Sequence, residues 1–294
     1  MKNPVITTKE GAANLHIWRT GLSYTFQKGS LYRNEWTNLY FSLLPQPPGE
    51  NKIRYYDVRR RLPFEDNTFD AVYAMHVIEH LSPREGLHFV QELKRVLKPG
   101  GICRLSTPDL EDIARNYFKR FHAALENPSE KNTCDYHWAQ LEVFDQLVRR
   151  KSGGEMVEAI KAGHFNEDYL KERYGDVYTE FNAAMAKELE EKIAAQRQAE
   201  RTTATAPRSI AYERELEKIQ QHMNWDPRKM LEFNKWMYDR LSLGILIKDG
   251  GLIEYRVKDY KSSDIKNWDR YQFDRSNHGD HPIEPSLYAE GRKP

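Results

Sequence analysis

The sequence predicts an α/β fold: a doubly wound, mostly parallel sheet of the Rossmann-like kind with a large helical insertion. Three observations carry this. Between Tyr56 and Asp109 the chain passes from a strand-end acid through a buried strand, an amphipathic helix and a second buried strand. Beyond that stretch the sequence turns polar and helical for over a hundred residues. Strand-like patterning returns only near the end.

Taken in order, residues 14–18 (NLHIW) form the first expected strand. Residues 36–44 (WTNLYFSLL) form the second, closed by the turn PQPPGE, and residues 52–56 (KIRYY) form the third, ending at Asp57. The fourth and fifth, residues 69–74 (FDAVYA) and 102–106 (ICRLS), are short and apolar, as strands covered on both faces are. Between them a helix is expected over residues 82–97. Ser82 caps it ahead of Pro83, and Leu87, Val90, Leu93, Val96 and Leu97 recur at three- and four-residue steps. Pro99, Gly100 and Gly101 are expected to stop it. A strand, a helix and a strand in this order call for a right-handed parallel crossover.

Residues 111–243 read as the insertion, with the core built from 1–110 and 244–294. Helical periodicity recurs in 113–125, 138–150, 156–160, 178–198, 212–222 and 227–243, and residues 202–209 (TTATAPRS) read as a linker. Residues 252–260 and 286–292 are expected to close the sheet as an antiparallel pair.

Composition narrows the function. Lys and Arg number 45 against 44 acids, so nothing in the balance points to nucleic acid. No apolar run approaches the ~20 residues that span a bilayer, and the start MKNPVITTKEG has no apolar signal core. No membrane partner is expected, and two cysteines, Cys103 and Cys134, suit a cytoplasmic setting. A homo-oligomer is compatible with all of this. The tail around His278, Asp280 and His281 offers three potential metal ligands but no fourth, so no metal is expected.

Two places carry chemistry. Asp57 ends a parallel strand, where an open sheet binds its ligands. The run AMHVIEHL leaves the fourth strand at the same end of the sheet and brings His76, a residue suited to general base work.

The stretch from Asp57 to Asp109, with its D-x-x-x-x-L-P-F run, AMHVIEHL and LKPGG, resembles class I S-adenosylmethionine-dependent methyltransferases of the type-11 group. The closing SLYAE is similar too. The resemblance implies S-adenosylmethionine as cofactor. It implies Asp57 and Val58 at the adenine and Met75 and His76 against the cofactor; His76 is the candidate base if it reaches the acceptor. It implies methyl transfer to an oxygen or nitrogen of a small-molecule or glycan acceptor. Two positions depart from the pattern. In the first loop only Gly21 remains of the usual glycines, and Tyr40 stands where the family has a ribose-gripping acid. A phenol cannot accept two hydrogen bonds as a carboxylate does, which implies weaker cofactor binding. A catalytically altered relative that binds a ligand or partner, and a different reaction on the same scaffold, stay open at this point.

Overall fold

The computed structural model describes residues 13–18, 35–41, 54–148, 154–175, 233–275, 282 and 285–294. Seven strands form one sheet: β1 (Asn14–Trp18), β2 (Trp36–Phe41), β3 (Arg54–Tyr56), β4 (Phe69–Met75), β5 (Leu97–Pro108), β6 (Ile253–Lys258) and β7 (Ser286–Arg292). Their order is β3-β2-β1-β4-β5-β7-β6. The β3-β2-β1-β4-β5 run is parallel, and β7 lies antiparallel to both β5 and β6. The expected pairing of the fourth and fifth strands is present, with Val72 opposite Cys103. The closing antiparallel pair is present too, although β7 is interior and β6 forms the edge.

Helix α1 (Pro83–Val96) makes the β4-to-β5 crossover. The Ser82 hydroxyl accepts from the Glu85 amide while the Glu85 carboxylate accepts from the Ser82 amide, a reciprocal cap that fixes the start. The stop differs from expectation. The helix ends before Pro99, and Leu97 is already extended and paired with Phe69. Pro99 to Gly101 instead shape the start of β5, where Gly100 has φ +77°.

Each face of the sheet has its own cover. Phe89, Val90, Leu93 and Val96 of α1 pack onto one face with Leu243, Leu246 and Ile247 of the helix Arg240–Asp249. Burying each of these side chains contributes about 1.5–3 kcal/mol. The two helices meet closely: a Cβ on Gly250, which caps the second, would clash with Val90 Cγ1. The opposite face is aromatic. Trp18, Trp36, Tyr40 and Tyr73 pack there under a strap carrying Ile265, Trp268, Tyr271 and Phe273. Register places Tyr55, Tyr40, Trp18, Met75, Ser106 and Tyr288 in one row across the strands.

His16 lies in this aromatic layer, fully buried, with its ring centroid 4.7 Å from that of Phe273. Burial pushes its pKa down to about 4, against a weaker opposing hydrogen bond from its Nδ1 to the Asn38 side-chain oxygen. The folded state therefore holds His16 neutral where the unfolded chain protonates it. Stability is full above the unfolded pKa near 6.5 and falls as pH drops toward 4. Going from neutral pH to pH 5 is expected to cost about 2 kcal/mol at this residue. His16→Phe should flatten that acid limb in denaturant titrations, and an unchanged limb would assign it to other groups.

The insertion supplies α2 (Leu110–Glu126), α3 (Glu130–Val148), α4 (Gly154–Lys161) and α5 (Glu167–Tyr174). Asp109 caps α2, accepting from the Glu111 and Asp112 amides. The helix Arg240–Asp249, here α6, crosses the boundary drawn at 243 and 244. The helix expected over 227–243 is corrected in its described part. Residues 233–239 are irregular, and Asp239 caps α6 by accepting from Leu241 and Ser242. The strap adds the short helix α7 (Trp268–Tyr271). The expectations for 178–198, 202–209, 212–222 and the tail at 278–281 lie outside the described residues. Among the described residues no helix is long and apolar enough to cross a membrane.

Candidate active site

The strand order reverses between β1 and β4, so the crevice outside their carboxyl ends is where such a sheet binds ligands. Trp18 and Met75 stand opposite each other at that point.

Asp57 directly follows β3. The Arg59 guanidinium grips it with Nε and Nη2 at 2.8 Å to separate carboxylate oxygens, and Arg60 stands 3.5 Å away. Burial pushes the Asp57 carboxyl up, but these bonds and charges outweigh it and hold it below the usual range. It is an ionised acceptor with 13 % of its side chain exposed. Val58, its neighbour, is fully buried in the main core, so its side chain packs rather than lines the crevice.

Tyr40 and Met75 belong to the aromatic layer. The Tyr40 ring meets Trp18 edge-on at 5.1 Å and Tyr55 at 4.7 Å. It forms a wall. Gly21 lies outside the described residues.

His76 follows β4 with φ +48°, a conformation a β-carbon disfavours and one that clusters at functional sites. Its amide donates to the Ser106 carbonyl at 3.1 Å, which fixes the turn. Its Nε2 meets Ser286 Oγ at 3.0 Å, and its Nδ1 faces Glu79 Oε1 at 3.3 Å. Glu79 is 1 % exposed. Burial raises its pKa, yet His80 and then His76 outweigh that and hold it below the usual carboxylate range. The Glu79 carbonyl accepts from the Lys235 and Trp236 amides, tying this turn to the segment before α6. His80 Nδ1 donates to the Phe233 carbonyl at 2.7 Å.

Beside Ser286 opens a cavity of about 370 Å³, lined by Asp109, Asp112, Arg173, Lys258, Asp259, Tyr260, Pro282, Pro285, Ser286 and Tyr288. It joins the ends of β5, β6 and β7 to the insertion through Asp112 and Arg173. Sequence reasoning finds His76 and Asp57 but misses Ser286, Glu79 and this cavity. Ser286 was visible only as the first residue of a strand, and Glu79 only as part of a motif. The sheet order brings β7 beside β5 and so delivers Ser286 to His76, across 210 residues of chain.

Residues 45–105 match the family model described as a methyltransferase domain. These residues are therefore similar to a methyltransferase domain of the type-11 group. Over 105 residues it is 54 % identical to the sterol 24-C-methyltransferase of Schizosaccharomyces pombe, covering 36 % of this chain and 24 % of that protein. Over 80 residues it is 34 % identical to a probable methyltransferase of Aspergillus luteorubrus, covering 27 % of each. A sterol 4-C-methyltransferase of Caenorhabditis elegans is 31 % identical over 67 residues, 21 % of this chain and 20 % of that protein. The chain therefore spans about a quarter or less of the length of these relatives. A solved S-adenosylmethionine-dependent methyltransferase from Methanosarcina mazei overlays with a TM-score of 0.37 at 11 % identity, over 97 % of this chain and 94 % of that one.

The matched stretch includes Asp57, Val58, Met75, His76 and Glu79, while Tyr40 and Ser286 lie outside it. An adenosyl group needs a hydrogen-bond acceptor for its amino group. The ionised, partly exposed Asp57 fits that need.

Proposed function

We propose that this chain transfers a methyl group from S-adenosylmethionine to an oxygen or nitrogen of a small metabolite or a sugar-containing acceptor. The observation that supports this best is the charged cavity next to His76, at the carboxyl end of a sheet that carries a methyltransferase domain. The donor supplies an electrophilic methyl group when bound. Asp57 holds its adenine end and Met75 borders it. Binding is weaker than in relatives that keep a ribose-gripping acid, because Tyr40 offers a wall in its place. His76 acts as the base, a role typically worth about 10²–10⁴ in rate.

The acceptor class follows from the cavity walls. Asp109, Asp112, Asp259, Lys258 and Arg173 are charged and suit an acceptor rich in hydroxyl groups. The sterol methyltransferases among the relatives suggest a sterol as a second reading. Burying a sterol skeleton against these charges would strip their water without replacing it, which costs several kcal/mol. The polar acceptor is therefore favoured. Incubating the protein with methyl-labelled S-adenosylmethionine and panels of free sugars, nucleotide-linked sugars and sterols tests this. Label is expected in a sugar. Label in sterols alone would overturn the acceptor class, and label in nothing would count against the activity.

A further inference from the structure

We infer that Glu79, His76 and Ser286 form a proton relay whose outer end, the Ser286 hydroxyl, takes the proton from a hydroxyl-bearing acceptor in the charged cavity. This rests on the methyl-transfer reading and names what that site acts on: an alcohol oxygen, not a nitrogen or a carbon.

The geometry assigns each proton. Glu79 is buried and ionised, so it only accepts hydrogen bonds. The His76 nitrogen facing it, Nδ1 at 3.3 Å, therefore carries the hydrogen. That leaves the Nε2 lone pair directed at Ser286 Oγ, 3.0 Å away, and the Ser286 hydroxyl donates to it. The serine oxygen then presents its own lone pairs to the cavity it lines, as acceptor for a second hydroxyl. An acid, an imidazole and a serine hydroxyl in this series give the base a fixed tautomer and a fixed direction. Glu79 is a positioning residue. Its backbone is held by the Lys235 and Trp236 amides donated to its carbonyl, and His80 Nε2 lies 3.6 Å from its carboxylate Oε1. Among the described residues, the charged groups facing His76 include Glu79 and His80 of its own turn and Asp274 of the strap, whose electrostatic influence reaches it.

The step balances. The acceptor oxygen forms a bond to the donor's methyl carbon, and the electron pair of the broken carbon–sulfur bond stays on sulfur. The acceptor proton passes to Ser286 as the Ser286 proton passes to His76 Nε2. The imidazolium so formed is paired by Glu79 and returns its proton to solvent.

Serine is preferred over a direct His76 contact because His76 is only 9 % exposed, whereas Ser286 is part of the cavity wall. Long-range proton–nitrogen spectra of the full chain labelled with ¹⁵N-histidine read the tautomer directly, with His76 assigned by its loss in His76→Gln. At alkaline pH the wild type is expected to carry its proton on Nδ1. Glu79→Gln, whose amide can donate, is expected to move that proton toward Nε2. Ser286→Ala should shift the Nε2 resonance while keeping the proton on Nδ1, and Ser286→Thr should restore it. A proton on Nε2 in the wild type, or an Nε2 resonance indifferent to Ser286→Ala, overturns the relay. Calorimetric titration with S-adenosylhomocysteine separates the two ideas. No binding alongside the expected tautomer would overturn methyl transfer and not the relay geometry.

Discussion

Replacing Arg104 by methionine is expected to lower stability by about 3–5 kcal/mol. Arg104 is fully buried in the middle of β5. Its Nη2 and Nε donate to Asp274 Oδ2 at 2.8 and 3.1 Å, its Nη1 donates to Glu290 Oε1 at 3.0 Å, and the carbonyls of Asp259 and Ser262 take its remaining hydrogens. The guanidinium also lies 4.4 Å from the Trp268 ring centroid. Methionine fills much of the volume but leaves the buried Asp274 without its cation and Glu290 with only Lys258, 3.9 Å away. Such groups escape by protonation. Burial already raises the Asp274 pKa, against the pull of Arg104. Without Arg104 its folded pKa should rise further. A group raised on folding contributes stability below its unfolded pKa and loses it as pH climbs. The gap between variant and wild type should therefore narrow from neutral pH toward acid. Denaturant titrations at several pH values check both points. A constant gap, or a loss below about 1 kcal/mol, would mean the strap is held by its aromatic packing alone.

The second large effect is local. Glu142→Ala is expected to cost the insertion about 3 kcal/mol. Glu142 is 5 % exposed on α3. It accepts from Arg173 Nη2 at 2.8 Å and Nε at 3.0 Å on one oxygen, and from Asn116 at 3.1 Å on the other. It ties α2, α3 and α5 together, and Arg173 also lines the acceptor cavity. Amide exchange should accelerate by roughly a hundredfold in α3 and α5 and stay unchanged in β4 and β5. Unchanged exchange in α5 would show that Trp138, Tyr169 and Leu170 hold it without the ion pair.

What the sequence revealed depended on locality. Ser82, Glu85 and the three- and four-residue apolar steps are local signals, and α1 follows them. The apolar β4 and β5 cores were equally plain. The starts of α2 and α3 were not, because their first turns are polar: Asp109 caps one, and the other begins with Glu130. Helix α5 was missed because its sequence, EDYLKERY, buries only Tyr169 and Leu170. The site was half visible. Asp57 and His76 stand at strand ends that the pattern marks. Their partners Arg59 and Glu79 are near in sequence, whereas Ser286 reaches His76 only through the β5-β7 pairing. One nonlocal signal was present and unused. Arg104 interrupts an apolar strand, and a charge there requires buried partners.

Calorimetric titration of the wild type and Asp57→Ala with S-adenosylhomocysteine tests the central claim most directly. The wild type is expected to bind. Asp57→Ala is expected to bind about ten- to a hundredfold more weakly, because the adenine amino group loses a charged acceptor at the end of β3. Absence of binding by the wild type, or equal affinity in the two proteins, would contradict an adenosyl site at the carboxyl edge of this sheet.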